Sequence, residues 1–524
     1  MQKKSLNYLS NRMIKTFNKF IWWLDLTQSN EIADNSFTIA KNVFYNNAKQ
    51  IETRKGYVTF APELDDVVTS TFFFQRDDTL ATMLLVVAGT KMYKYVEWTD
   101  TRTEIKTWLT EYEPLYPTQR TRWDFCVYKN IVYMCNWVDN YASYDWTTYT
   151  EYASQPKVRY LQYLQDRILA GWDDDNPSTL YYTNAAPTNG NTINGNVVII
   201  WGDEAWKINA ITEFWRVILI GKSNKVYTVD VANQSSIAVD TQSWMRSDRC
   251  ISNVNNDLMY FNERGIDAMK TKQYDWWLET KPLSEKVREV IENITPSKYN
   301  SNVGYYIRPI NNYYFSFDAN DDDIPDTHLI YNTTLNARTQ FDYPGIYDYT
   351  DYINQNNETF RLFASGTQLY RMEAWFTDNT TPITAELQTK DFDFWDPAQL
   401  KTYWFVDLVG RKQVWAPILV KVIVNDEIVA QSEITDGNLN LSSTPVYIAP
   451  TISEETIGTS MIWWWVWWIE PTALYPYTVK LPMFARWYTI QVKLMSTGVQ
   501  RQFEKLRIDV DGEPKEMFYF NDII

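Results

Sequence analysis

Along most of the 524-residue chain, apolar or aromatic residues alternate with polar ones over four to eight positions. That alternation marks strands with one face buried. Helical spacing is confined to a piece around 6–20 and to 282–293, where Leu283, Val287, Val290 and Ile291 fall at helical intervals. The pattern predicts an all-β protein. Its hairpin-like units begin near Leu85, Ile131, Ile168, Val217, Leu258, Tyr313 and Leu362, at spacings of 37 to 55 residues. Propeller blades, four strands repeated around an axis, recur every roughly 40–50 residues. Residues 60–380 accordingly read as a six- or seven-bladed β-propeller, with a pair of β-sandwiches as the competing architecture.

Past residue 380 the alternating runs lengthen, at 390–396, 404–410, 418–424, 487–494 and 503–510. They predict a C-terminal β-sandwich or jelly roll, with a boundary at the 379–382 linker and Pro382. The expected division is an N-terminal arm with the first propeller strands (1–59), the propeller (60–380) and a docking sandwich (381–524).

Composition changes the reading of the turns. The chain has 16 Gly and 24 Trp, whereas a chain of this length holds roughly 37 Gly at the usual frequency. Many of the tryptophans stand where a hairpin asks for glycine, since type I′ turns need φ > 0 at both central residues. Trp22 and Trp23 precede a strand-like run, and Trp137 and Trp146 lie between alternating segments. Trp172, Trp276 and Trp277 stand in similar surroundings. Trp463, Trp464, Trp465, Trp467 and Trp468 crowd one loop that would read naturally as glycine. We therefore expect these to be glycine positions, with UGA translated as Trp in a genome that reads it as Gly, as some bacterial lineages do. On that expectation Trp22, Trp137, Trp146, Trp172 and Trp276 lie at exposed turns. The alternative is a genuinely Trp-rich protein whose indoles fill cores and grip ligands.

A net charge of −16 disfavours a sequence-reading nucleic-acid binder with a basic face. It suits a surface that DNA passes without sticking. Cys126, Cys135 and Cys250 form neither a disulfide framework nor paired CxxC motifs, so a reducing compartment is expected. No segment has the length or apolarity of a signal sequence or a membrane span. The Trp cluster has an interfacial-anchor reading as well.

Candidate chemistry is sparse. His328 is the only histidine, which rules out a multi-histidine metal site, and it is expected to be solvated. Asp318, Asn320 and Asp322 have the D-x-N-x-D spacing used for Ca²⁺. However, Asp323 stands where the loop needs Gly, and Leu329 where it needs a bidentate Glu. The bland reading of that loop, and of Asp173–Asp175, is a solvated hairpin tip. Phosphate-binding glycine loops are absent. We expect no catalytic residues, no cofactor and no enzyme.

The opening stretch offers a resemblance. Trp22–Asp34, Ala40–Asn46 and Ile51–Tyr57 are similar to the start of tailed-bacteriophage β-propeller virion proteins, of the tail-nozzle and packaged-DNA-stabilisation type. There a Gly-Gly pair is followed by an Asn, then a basic residue, a spacer and Gly. Asn42, Arg54 and Gly56 match as they stand, and Trp22 and Trp23 match as glycines. Asn136–Asp139 with Tyr144–Trp146, Asp166–Gly171 and Phe261–Ile266 resemble recurring blade phrases of the same group. The resemblance implies a structural virion subunit in the tail or neck, assembled in the host cytoplasm into a homo-oligomeric, commonly hexameric ring. It further implies portal, adaptor and tail proteins as partners, DNA passing without specific binding, and no membrane. Two alternatives stay open: a carbohydrate-binding or glycan-degrading propeller with indoles stacked on sugars, and a baseplate or fibre component.

Overall fold

The repeating hairpins are closed by pairs of residues in the left-handed region: Lys129-Asn130, Gln165-Asp166, Trp215-Arg216 and Asn255-Asn256. Such turns carry the twist that antiparallel strands need, so each pair of strands leaves its turn already coiled. In the computed structural model the described residues are 12–17, 24–26, 32, 36–45, 51–96, 102–114, 116–200, 207–223, 225–239, 244–271, 278–292, 294–354, 356–374, 377–392, 401–412, 417–424, 427–435, 446–447, 473–487, 491–497 and 501–512. They fall into two units, one of 57–333 with 341–373, the other of 1–56, 334–340 and 374–524.

The first unit is a β-propeller. Six separate four-stranded antiparallel sheets act as blades: 68–106, 124–151, 158–199, 208–239, 252–282, and 348–372 completed by Tyr57–Thr59. Between the fifth and the last, a meander of Val303–Ile307, Asn312–Phe317 and Thr327–Asn332 completes the circle. Its first strand touches Ser252–Val254 on one side and Asp348–Ile353 on the other. All seven hairpin marks read from the sequence fall on or beside the second strand of a meander, Thr82–Ala88, Ile131–Cys135, Arg167–Asp173, Val217–Lys222, Asp257–Asn262, Asn312–Phe317 and Thr359–Ser365.

These second strands are apolar on both faces because each serves two neighbours. In Thr82–Ala88, which is buried throughout, Leu84 and Val86 pack with Leu362 and Phe360 of the last blade. Met83, Leu85 and Val87 pack with Phe125, Val132 and Met134 of the second blade. Tyr133 and Cys135 then meet Leu161, Ile168 and Ala170 of the third, and Leu169 meets Ile208, Ile218 and Ile220 of the fourth. The circle closes when Tyr57–Thr59 pairs antiparallel with Gln368–Met372. Tyr57 fixes that strand through edge contacts with Tyr370 at 4.9 Å, Phe363 at 5.3 Å and Tyr343 at 5.8 Å.

The second unit is an additional sheet region. One of its sheets orders Val43–Tyr45, Ile51–Thr53, Arg501–Gly512, Lys401–Lys412, Ala473–Trp487 and Val446–Tyr447. In the other, Phe37–Lys41, Thr384–Thr389, Gln491–Thr497, Ile418–Val424 and Glu427–Ile434 follow one another.

Three expectations change. The N-terminal helix is a strand where it is described: Arg12–Phe17 pairs with Arg501–Gly512, whose long edge supplies partners for its backbone groups. The expected division also shifts, because Phe37–Lys41 and Ile51–Thr53 pair with Thr384–Thr389 and Arg501–Gly512, which draws residues 1–56 into the C-terminal unit. Pro382 lies in a small hairpin inside that unit, and the border falls after Glu373. The 282–293 helix is present as two short pieces, Glu285–Val287 and Arg288–Glu292.

Leu362, fully buried between the first and last blades, sits on the seam that closes the circle. Leu362→Ala is expected to cost about 2–5 kcal/mol, read as a lowered midpoint in chemical denaturation with the slope unchanged.

Candidate functional site

First strands of neighbouring blades lie against one another around most of the circle, and that of the fourth blade against the Asp248–Cys250 turn, so polar residues near their starts are brought together. Ser70, Thr71, Asp124, Arg159 and Asp348 stand at these starts, joined by the Asp248–Cys250 turn. Burying charge costs several kcal/mol per ion unless partners supply compensation, and here they do. Arg249 donates from Nη2 to the Trp123 carbonyl at 2.6 Å and to Ser70 Oγ at 3.2 Å, and its Nη1 lies 3.1 Å from Asp348 Oδ1. Asp348 Oδ2 accepts the Thr71 N–H at 2.6 Å and the Thr71 hydroxyl at 3.0 Å. Arg159 forks onto Glu113 at 2.8 and 3.3 Å, with both side chains buried.

Asp124 is held by the N–H groups of Leu161 at 2.7 Å and Phe125 at 2.9 Å. Burial, and after it the negative charge of Asp248, nevertheless raise its carboxyl to about 7. Burial likewise raises Asp248. Arg122 is pulled down to about 10, by burial first and by the charge of Arg249 second. Burial opposes the charge on Arg159 too, yet the Glu113 carboxylate more than offsets it and Arg159 stays protonated.

The strands Tyr112–Glu113 and Tyr116–Arg120, inserted between the first two blades, line a polar cavity of ≈ 240 Å³. Arg122 lines it, and its Nη1 is buried without an acceptor among the described residues. Glu113, Asp322 and Asp323 share the wall and set negative charge against an anion drawn to Arg122. The arrangement can hold a proton on the Asp124–Asp248 pair. Arg159 and Arg249 are committed to Glu113 and Asp348.

The structure separates the residues singled out by sequence. Asp318 is buried, and its carboxylate accepts the N–H groups of Asn320, Asp321, Asp322 and Asp323. Lys298 Nζ pairs with Asp323 and lies 3.7 Å from Asp318. Asn320 turns away to Asp326. A lysine ammonium thus answers the base of the acidic loop, which is enclosed at Asp318, while Asn320, Asp321 and Asp322 at its tip are exposed, as expected. Among the described residues no group of three or more His, Cys, Asp and Glu side chains could hold a metal. His328 is also buried, against expectation: Nδ1 meets Ser316 Oγ at 2.8 Å and Nε2 the Tyr343 carbonyl at 3.1 Å. The three cysteines are free and buried.

Trp137, Trp146 and Trp172 all have positive φ. Trp137 and Trp172 are nevertheless buried, 6% and 3% exposed, where exposed turns were expected. Their rings stack at 6.4 Å, and Arg159 and Lys207 lie over Trp172. Trp22, Trp23, Trp276, Trp277 and the 463–468 cluster lie outside the described residues.

The residues that carry the family resemblance converge. Arg54, only 1% exposed, donates from Nε to Asn42 Oδ1 at 2.8 Å and through both terminal nitrogens to Asp378 at 2.7 and 2.6 Å. Asn42 Nδ2 donates to the Thr384 carbonyl at 2.7 Å. Gly56 lies so close to Thr377 that a Cβ there would come within 2.0 Å of its carbonyl oxygen. Three residues separated in sequence therefore build one polar node.

No family model and no curated protein matches the chain. Among solved structures it is similar to the crystal structure of the computationally designed Ika8 protein, at 8% identity and a TM-score of 0.34, over 60% of this chain and 99% of that one. A likeness at that level carries no argument.

The inner charge cluster was missed by sequence reading, although Asp124, Arg159, Asp248, Arg249 and Asp348 each stand shortly before a hairpin mark. Because the folded pKa of Asp124 lies above its unfolded value, the native state holds the proton more firmly, and stability is lost as pH rises from about 4 towards 7. Asp124→Asn should therefore raise the melting temperature more at about pH 8 than at about pH 5. Equal shifts at both would mean that the carboxyl does not titrate in this window.

Proposed function

We propose that the chain is a non-enzymatic structural subunit of a phage virion, forming a homo-oligomeric, commonly hexameric ring in the tail or neck around the path of DNA exit. The observation that carries this reading is the Asn42–Arg54–Gly56 node. The three residues that resemble the virion family's opening text do not merely match in order. They serve one local structure, Asn42 and Arg54 through a direct hydrogen bond and Gly56 through close backbone approach.

The blade phrases support the same reading, because they are turn devices. Asn136 Oδ1 accepts the N–H groups of Val138 and Asp139, and Asp145 those of Thr147 and Thr148. Asn262 accepts the Arg264 N–H and donates to Asp267. The net charge of −16 adds a physical purpose. Like charge removes the phosphate attraction that dominates protein–DNA affinity, so a ring of such subunits would let the genome slide. Portal, adaptor and other tail proteins would be its neighbours.

The glycan-binding alternative needs indoles exposed together at one mouth. Trp137 and Trp172 are enclosed, while the exposed Trp108 and Trp215 belong to different blades. Loss of glycan-array binding on Trp108→Ala and Trp215→Ala would support that alternative.

For the purified full-length chain we expect a closed ring by sedimentation and electron-microscopic class averages, with no retention of duplex DNA at physiological salt. A monodisperse monomer at high concentration would overturn the assignment.

A further inference from the structure

Left-handed backbone identifies the positions where a side chain is unwelcome. Among the described residues, positive φ occurs at 23 non-glycine positions, of which eleven are Asn or Asp. Those short polar side chains tolerate the conformation, whereas for bulky residues it is an outlier. Five of the remaining positions are tryptophans: Trp108 (φ 64°), Trp137 (61°), Trp146 (84°), Trp172 (61°) and Trp215 (52°). None is Tyr or Phe, although the chain has 37 Tyr and 24 Phe. Aromatic bulk is the same hindrance in all three types, so a property peculiar to the Trp positions is required.

Their places in the blades supply it. The three glycines with positive φ, Gly89, Gly265 and Gly366, all lie in turns between the second and third strands of a blade. Trp137 stands in that same turn of the second blade. Trp172 stands one residue before the end of the second strand of the third blade, where the ladder passes from Val158–Asp173 to Tyr160–Gly171 with the register kept and no Arg159–Trp172 pair between them. A residue in left-handed conformation inside a strand is ordinarily glycine. Trp215 is the first residue of a two-residue hairpin turn whose second, Arg216, also has positive φ. Trp146 follows Asp145 in a turn held by the Asp145 carboxylate.

The other described tryptophans, Trp123, Trp244, Trp404 and Trp487, do not have positive φ. Trp123 packs in the core at 1% exposure. The enclosed indoles of Trp137 and Trp172, like that of Trp244, leave Nε1 without an acceptor among the described residues, although buried indole N–H groups usually find one. Burial therefore does not mark these two as native core residues. A glycine turn wedged between blades would also be enclosed.

We infer that the natural protein carries glycine at 108, 137, 146, 172 and 215, encoded by UGA and read as Gly in its source, while Trp123 is a true tryptophan. The inference rests on backbone geometry and is independent of the virion reading. It adds Trp108 and Trp215, which their sequence surroundings alone do not reveal.

Two measurements test it. The codons at the five positions should be UGA and that at Trp123 UGG, with peptide masses of the protein from its source giving glycine at the five and tryptophan at 123. UGG at the five positions overturns the inference. Separately, the full-length chain with all five changed to glycine should unfold at a higher temperature than the all-Trp chain, or fold where that chain does not, while Trp123→Gly lowers the midpoint. A five-glycine chain less stable than the all-Trp chain contradicts the inference, because emptying true tryptophan sites leaves cavities.

Discussion

The propeller depends on closing a circle. A small antiparallel sheet with two apolar faces is not stable alone, and every blade added to a row buries one face while presenting another. Only when the last blade meets the first is no apolar face left over. Leu84, Val86, Phe360 and Leu362 make that last contact, and Tyr57–Thr59, arriving from the far end of the unit's sequence, pairs with the edge of Gln368–Met372. One strand thereby ties the two ends of the unit together, so the blades share a common stability and cannot fray one at a time from either end.

Closure also forces the first strands towards one another, and their starting residues must then satisfy each other or be abandoned without water. The pairs Arg159–Glu113 and Arg249–Asp348, with Ser70 and Thr71, satisfy most of that demand. Buried ion pairs are weak contributors to net stability compared with apolar packing. What they do supply is geometric: each pair joins different segments of the circle, and a displaced blade would strand a charge. The raised Asp124 carboxyl is the residue of this compromise: burial, and after it the charge of Asp248, oppose its ionisation.

The fold was legible wherever one strand's chemistry repeats. Second strands are buried on both faces, so Leu85, Ile131, Ile168, Val217, Leu258, Tyr313 and Leu362 all stand at or beside one and marked every meander, including the one that is not a separate sheet. The first strands were not legible in this way, because their partners are other blades' polar residues, with no fixed spacing to find. His328 and Asp318 were misjudged for a related reason. Their neighbours Ser316, Tyr343 and Lys298 come from other strands and turns, and an acidic or lone polar residue looks solvated when those are unknown. The Arg12–Phe17 strand depends on the edge of Arg501–Gly512, almost the whole chain length away.

The tryptophans show how composition and backbone constrain each other. A surplus of Trp by itself suggests ligand-gripping aromatic surfaces, and a shortage of Gly by itself suggests a rigid chain. Together, with the surplus falling on left-handed turns that Tyr and Phe avoid, they describe one population of residues under two letters. With glycine at those turns, the indole stack of Trp137 and Trp172 disappears, and so does the cation–π pairing of Arg159 and Lys207 with Trp172. Arg159 keeps its bond to Glu113, so the inner charge cluster does not need the indole. The aromatic features that favoured sugar recognition are thus separable from the features that hold the propeller together, and it is the latter that the turn phrases and the Asn42–Arg54–Gly56 node share.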